Sequence, residues 1–138
     1  MNEVPSLPRV LFVCVENSNR SQMAQAFANI YGRGRFEAYS AGSRPSGKVN
    51  PKAVDAMREL DYDLTKHSSK SLAEIPPGDF AAVVTVGCGD ACPFVPAKRR
   101  EDWQIPDPRE LPPEEFRKIR DLIAEKVQVL LAELTTSR

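Results

Sequence analysis

The chain has 138 residues, of which 41% are hydrophobic and 28% charged, so it suits one domain with a moderate core, spanning residues 1–138. Its 19 basic and 19 acidic side chains cancel, which argues against broad electrostatic binding to nucleic acid or to an anionic membrane. No apolar run approaches transmembrane length, and Met1–Pro8 lacks the basic-then-apolar layout of a signal peptide, so the expected setting is a cytoplasmic monomer.

Arg9 to Val15 is a short, β-branched apolar run that suits a central parallel strand buried on both faces. Met23, Ala24, Phe27, Ile30 and Tyr31 recur at helical spacing from near Ser21, with Gly32 as the stop. Phe36 to Ala41 reads as a second strand, and Ser43 to Gly47 as a turn-rich loop. Asn50 and Pro51 are a cap and a first helical residue, and Ala53, Val54, Met57 and Leu60 form that helix's apolar face. Ser69 to Ile75 reads as a short helix ended by Pro76-Pro77-Gly78. Phe80 to Val86 is a second strongly apolar strand, ending at Gly87-Cys88-Gly89. Residues 93–113 are proline-rich, an ordered loop around a short strand near Trp103. Phe116, Ile119, Ile123, Val127, Leu130 and Leu134 make the stripe of a final amphipathic helix, with Glu114 and Glu115 in its first turn. Strands alternating with helices define an α/β class with a parallel sheet, whose ligands bind at the carboxyl ends of the strands.

Cys14 and Arg20 bracket Val15-Glu16-Asn17-Ser18-Asn19, and Ser21 follows. A thiol between a strand end and a helix start lies where backbone N–H groups and the helix dipole welcome an anion. The same field favours a thiolate, the nucleophilic form. Arg20 can fold back and hold a tetrahedral oxyanion with its planar fork of donors. A cysteine ending a buried strand is ordinarily an inert small hydrophobe, and Cys-x5-Arg alone is a weak signal. The strand before, the helix after and the small polar loop favour the functional reading. Within the loop, Asn17 is a candidate cross-link through its amide, and Ser21 a candidate donor to the Cys14 sulfur. Glu16 is an oddity, because a carboxylate there repels an anion unless it points outward.

Three cysteines, unevenly placed, are not a structural disulfide framework. Cys88 and Cys92 are two incidental loop cysteines, part of a metal site, or members of a redox relay. Zinc needs four ligands, and the chain has one histidine, His67, and no second cysteine pair. A relay fits best, since a thiolate can attack a neighbouring sulfur and pass the disulfide to a third thiol. Asp107, held between Pro106 and Pro108, is a candidate general acid, with an ordinary Asp-Pro turn as the competing reading and Asp102, Asp90 and Glu16 as rivals. His67 reads as a helix-start residue rather than a base, and Lys98-Arg99-Arg100 as a solvated charge cluster.

The string Cys14-Val15-Glu16-Asn17-Ser18-Asn19-Arg20-Ser21-Gln22-Met23-Ala24 resembles the phosphate loop of low-molecular-weight protein tyrosine phosphatases, and more specifically that of the thioredoxin-coupled arsenate reductases built on that fold. Tyr39-Ser40-Ala41-Gly42, Val49-Asn50-Pro51-Lys52-Ala53, His67-Ser68-Ser69, Val83-Val84-Thr85, Cys92-Pro93 and Asp107-Pro108 extend the likeness over nearly the whole chain. The resemblance implies a four-stranded parallel sheet flanked by helices in a single domain. It implies that Cys14 attacks arsenate, that residues Val15 to Ser21 with Arg20 bind the oxyanion, and that Asp107 protonates the departing oxygen. It further implies that Cys88 attacks the arseno-cysteine and releases arsenite, and that Cys92 resolves the Cys14–Cys88 disulfide for thioredoxin or a similar thiol reductant. Phosphate-like oxyanions and a weak phosphatase side activity are expected as well. Two departures stand out. The segment between Cys88 and Cys92 is short for this group. Gln25 and Lys70 also fall where some relatives place carboxylates around a monovalent cation, so no cofactor or metal is expected, and Lys70 is a candidate substitute for the cation. The alternative reading is a phosphatase using Cys14, Arg20 and Asp107 alone.

Overall fold

The computed structural model describes residues 7–87 and 94–136. Four strands, β1 (Arg9–Cys14), β2 (Glu37–Gly42), β3 (Ala82–Val86) and β4 (Arg99–Trp103), pair in the order β2-β1-β3-β4, and every pairing is parallel. Between them lie helices α1 (Arg20–Tyr31), α2 (Pro51–Arg58) and α3 (Pro113–Thr136), with short 3-10 turns at Leu64–Lys66 and Leu72–Glu74. This is the four-stranded parallel sheet with flanking helices expected from the sequence.

The central strand β1 explains the order. Val10, Leu11, Phe12 and Val13 alternate between the two faces of the sheet, and each is at most 1% exposed. Val10 and Phe12 join one core with Met23 and Phe27 of α1, Met57 of α2, and Ile123, Val127 and Leu130 of α3. Leu11 and Val13 join a second, smaller core with Ala41, Phe80 and Val83, covered by Tyr39, Leu72, Ile75, Val95 and Ala97. Each large apolar side chain buried this way contributes about 1.5–3 kcal/mol. The α3 stripe read from the sequence is thus the helix's buried face. Its one buried charge, Arg120, donates to Ala56 O at 2.9 Å and to Glu59 at 2.8 Å, tying α3 to α2.

Local signals place the ends of elements. Asn50 Oδ1 accepts from Lys52 N at 2.8 Å, and Pro51 opens α2 as the sequence suggests. In the charge cluster at residues 98–100, Lys98 and Arg100 are exposed, as the sequence suggests, and Arg99 and Arg100 are also the first residues of β4. Strand β4 lies at the sheet edge, where charged side chains discourage pairing with other chains. Arg99 pairs there with both Glu101 and Glu133 of α3. The strands' carboxyl ends therefore form one rim, and Cys14 sits on it at the end of the most buried strand.

Candidate active site

The loop from Cys14 to α1 is turned inside out relative to an ordinary turn. Its carbonyls all face away from the cavity and all find donors. Cys14 O accepts from Ser43 N at 3.1 Å, Val15 O from Arg44 N at 2.8 Å, and Ser18 O from Asn50 N at 3.0 Å. Glu16 O accepts from Ser46 N at 3.0 Å and Ser69 Oγ at 2.9 Å, and Asn17 O from Gln22 Nε2 at 3.0 Å. Once five successive carbonyls point outward, the intervening N–H groups have only the interior of the loop to face. Asn17 N donates to Cys14 Sγ at 3.2 Å. Among the described residues, the N–H groups of Val15, Glu16, Ser18 and Asn19 have no protein acceptor. The loop is thus a ring of donors around a sulfur.

Two residues impose this shape. Asn17 takes a left-handed backbone with φ +53°, which asparagine tolerates better than most. Gly42 passes directly behind the loop: a Cβ there would lie 2.5 Å from Val15 O and 3.0 Å from Asn17 N. No side chain fits at that crossing.

Cys14, 3% exposed, lies at the bottom of a cavity of about 250 Å3. Val15, Glu16, Ser18, Asn19 and Arg20 line it from the loop, and Asp107 and Arg109 from the segment after β4. Arg20 NH1 donates to Ile105 O at 2.7 Å, and Arg20 NH2 stands 4.0 Å from Asp107 Oδ2. Asp107 is also held by its own turn, accepting from Arg109 N at 3.0 Å. The structure thus brings Cys14, Arg20 and Asp107 into one cavity. Asp102 lies elsewhere, bonded to Thr85 Oγ1 at 2.6 Å. Arg109 and its contact with Glu16 had no local signal in the sequence. Cys88 and Cys92 fall outside the described residues. The last described residue before them, Gly87, has φ +71°, and a Cβ on it would strike the Arg20 guanidinium.

Asn17 and Ser21 are not among the residues lining the cavity; both are wholly buried beneath the loop. Asn17 Nδ2 donates to Ser21 Oγ at 2.8 Å, and Ser21 Oγ is 2.8 Å from Cys14 Sγ. A thiolate has no proton, so with Cys14 ionised the Ser21 hydroxyl is the donor. The chain of bonds continues behind Asn17. Gln22 Nε2 reaches Asn17 Oδ1 at 2.9 Å, and Gln22 Oε1 is 2.9 Å from His67 Nδ1. His67 Nε2 lies 2.6 Å from Tyr62 OH, which accepts from Asn29 Nδ2 at 2.9 Å. Gln22 Oε1 can only accept, so a neutral imidazole carries its proton on Nδ1 and its bare Nε2 accepts from the Tyr62 hydroxyl. Every donor then points one way, from Asn29 toward the sulfur. His67 is held neutral: burial, then the nearby Lys70 charge, lowers its pKa from 6.5 to about 4. It follows the Leu64–Lys66 turn rather than starting a helix. Lys70 N donates to the other side of Asn17 Oδ1 at 2.9 Å, and Lys70 Nζ to Ser68 O at 2.9 Å.

A buried thiol at the base of an amide ring, with a guanidinium and a carboxyl at the mouth, fits a thiol-dependent enzyme for tetrahedral oxyanions on a parallel α/β sheet. The comparisons agree: the chain belongs to the low molecular weight phosphotyrosine protein phosphatase family, whose pattern it matches over residues 9–138. Within that family it is similar to a glutaredoxin arsenate reductase of Synechocystis sp., at 35% identity over 94% of this chain and all of that one. Its backbone matches an arsenate reductase solved in a phosphate-binding state, with a TM-score of 0.83 and 34% identity over 93% of this chain and 99% of the other. A thioredoxin-dependent arsenate reductase of Corynebacterium glutamicum is also similar, with a TM-score of 0.77 and 31% identity over 96% of this chain and 64% of that one.

Proposed function

We propose that this protein reduces arsenate to arsenite by a relay through three cysteines. The observation that carries the reading is the ring of inward N–H groups around Cys14 Sγ, closed by Arg20 and Asp107. Arsenate fits such a ring because its charge is spread over oxygens that the donors can share. The Cys14 thiolate attacks arsenic, and Asp107 protonates the departing oxygen, which leaves as water. Cys88 then attacks Cys14 Sγ. The sulfur–arsenic bond breaks with its electron pair going to arsenic, which departs as arsenite, and the two sulfurs remain as a disulfide. Cys92 attacks Cys88 and frees Cys14, leaving a Cys88–Cys92 disulfide for an external dithiol protein. One similar protein is a glutaredoxin arsenate reductase and another a thioredoxin-dependent one, and a dithiol protein of either class would supply the two electrons.

Two observations support reduction over phosphate-ester hydrolysis. Among the described residues lining the cavity none is aromatic, so nothing there stacks on a phenyl ester. Hydrolysis needs neither Cys88 nor Cys92, and Cys88 is the next residue in sequence after Gly87, which lies against Arg20. We also propose that no metal ion takes part. Gln25 is engaged by Ser40 at 2.6 Å and by Ala38 O at 3.3 Å, and the Lys70 ammonium occupies Ser68 O at 2.9 Å, so a neutral amide and a positive charge stand where a cation would need carboxylates.

The test compares arsenate-dependent oxidation of a dithiol reductant with hydrolysis of p-nitrophenyl phosphate. Cys14→Ser should lose both. Cys88→Ser and Cys92→Ser should lose arsenate turnover and keep whatever hydrolysis the wild type shows. Full arsenate turnover in Cys88→Ser would sink the relay.

A further inference from the structure

Glu16 is the residue that an oxyanion loop should not contain. Its main chain is fixed, because its carbonyl is held outward by Ser46 N and Ser69 Oγ. Its side chain lines the cavity and is 42% exposed. Left alone, that carboxylate would sit at the mouth through which a divalent anion must pass. It is not alone: Glu16 Oε2 accepts from Arg109 NH1 at 3.0 Å.

Arg109 comes from a different part of the chain, and several contacts place it. Its N–H donates to Asp107 Oδ1 at 3.0 Å, and its carbonyl accepts from Lys52 Nζ of α2 at 2.7 Å. Its second terminal nitrogen stands 3.6 Å from Asp107 Oδ2. The guanidinium therefore spans the mouth, with the phosphate-type loop on one side and the candidate acid on the other. Among the described residues lining the cavity, Arg20 and Arg109 offset Glu16 and Asp107. Without Arg109 the mouth carries a net negative charge while Asp107 is ionised, and even with Asp107 protonated for its acid role the Glu16 carboxylate stands there unpaired, over a sulfur that is itself anionic when reactive.

We propose that Arg109 is a positioning residue of the oxyanion site, acting by cancelling the charge of Glu16 at its mouth. This rests on the reading above that the cavity binds a tetrahedral oxyanion, but not on the relay that follows binding. Both partners are about half exposed, so the bridge adds little to folding stability, and its effect falls on ligand affinity. A unit negative charge left across a wetted mouth weakens binding of a divalent oxyanion by roughly five- to thirtyfold.

The probe is inorganic phosphate, and the readout is protection of Cys14 from alkylation, followed on the Cys14 peptide by mass spectrometry so that Cys88 and Cys92 do not contribute. Arg109→Met should raise the protecting phosphate concentration by roughly five- to thirtyfold, and Glu16→Gln added to it should return affinity to within about threefold of wild type. A purely structural Arg109 would give no such rescue. The proposal is overturned if Arg109→Met stays within about twofold of wild type, or if the double variant is as weak as Arg109→Met. Failure of phosphate to protect the wild type would instead overturn the oxyanion site itself.

Discussion

His67 offers a sharp test of the hydrogen-bond chain behind the loop, because its charge state and its partners must agree. Burial and Lys70 lower its pKa to about 4, against 6.5 for an unperturbed imidazole. The unfolded chain therefore takes up a proton as pH falls through 6.5, while the folded protein does so only near 4. Stability is fully present above 6.5, falls as pH drops between these values, and levels off below the lower one. Linkage over that window costs about 2 kcal/mol between pH 7 and pH 5, and about 3 kcal/mol by pH 4. The chain has one histidine, so its imidazole resonances titrate without overlap. Urea unfolding of wild type and His67→Gln at several pH values isolates its contribution. Wild type should lose about 2 kcal/mol more than the variant between pH 7 and pH 5. An imidazole titrating near 6.5 in the folded protein, or equal pH dependence in both proteins, would refute the argument. Either result would mean that burial and Lys70 do not hold His67 neutral in the folded protein.

Other predictions concern close approaches at the site. Gly42→Ala puts a methyl group against Val15 O and Asn17 N, which are backbone and cannot swing away, so the loop must shift. Phosphate should then protect Cys14 at least about tenfold less well, because misplacing a binding ring by a fraction of an ångström forfeits its geometry. Gly87→Ala imposes φ +71° on a residue with a Cβ and drives that Cβ into Arg20. It should destabilise by about 1 kcal/mol or more in urea unfolding and lower kcat/KM for arsenate. Ser21→Ala removes the hydroxyl 2.8 Å from Cys14 Sγ. Alkylation of Cys14 at neutral pH should slow by about three- to tenfold, the equivalent of one hydrogen bond to a charged sulfur. An unchanged rate would mean that Ser21 supports the loop without touching the reactive sulfur.

Much of the site was legible because it is local. Cys14, Arg20 and the residues between them are contiguous, and a strand-to-helix connection orients them whatever the rest of the chain does. Asn17 and Ser21 were readable for the same reason, being three and seven residues from the sulfur they serve. Asp107 could be singled out by its flanking prolines but not placed, since its partner Arg20 lies far away in sequence. For Gly87 the structure supplies a steric reason that no local pattern carries, the Arg20 guanidinium lying where a Cβ would stand. The basic run near residue 99 read as solvated charge because edge strands, unlike buried ones, carry polar residues and leave no apolar alternation to detect.

The sequence by itself determined the alternation of strands and helices, through runs of β-branched residues and helical apolar stripes. It also determined the thiol and guanidinium that flank a loop of small polar residues. Both depend on contacts within a few residues, where chain geometry leaves few choices. Only the tertiary structure decided what surrounds that loop. The donors that turn four of its five carbonyls outward come from residues 43–50 and 69, the buried network from Tyr62 and His67, and the guanidinium that answers Glu16 from Arg109. These partners meet because a parallel sheet gathers the carboxyl ends of its strands on one rim, and no periodicity in the chain records which residues will face each other there.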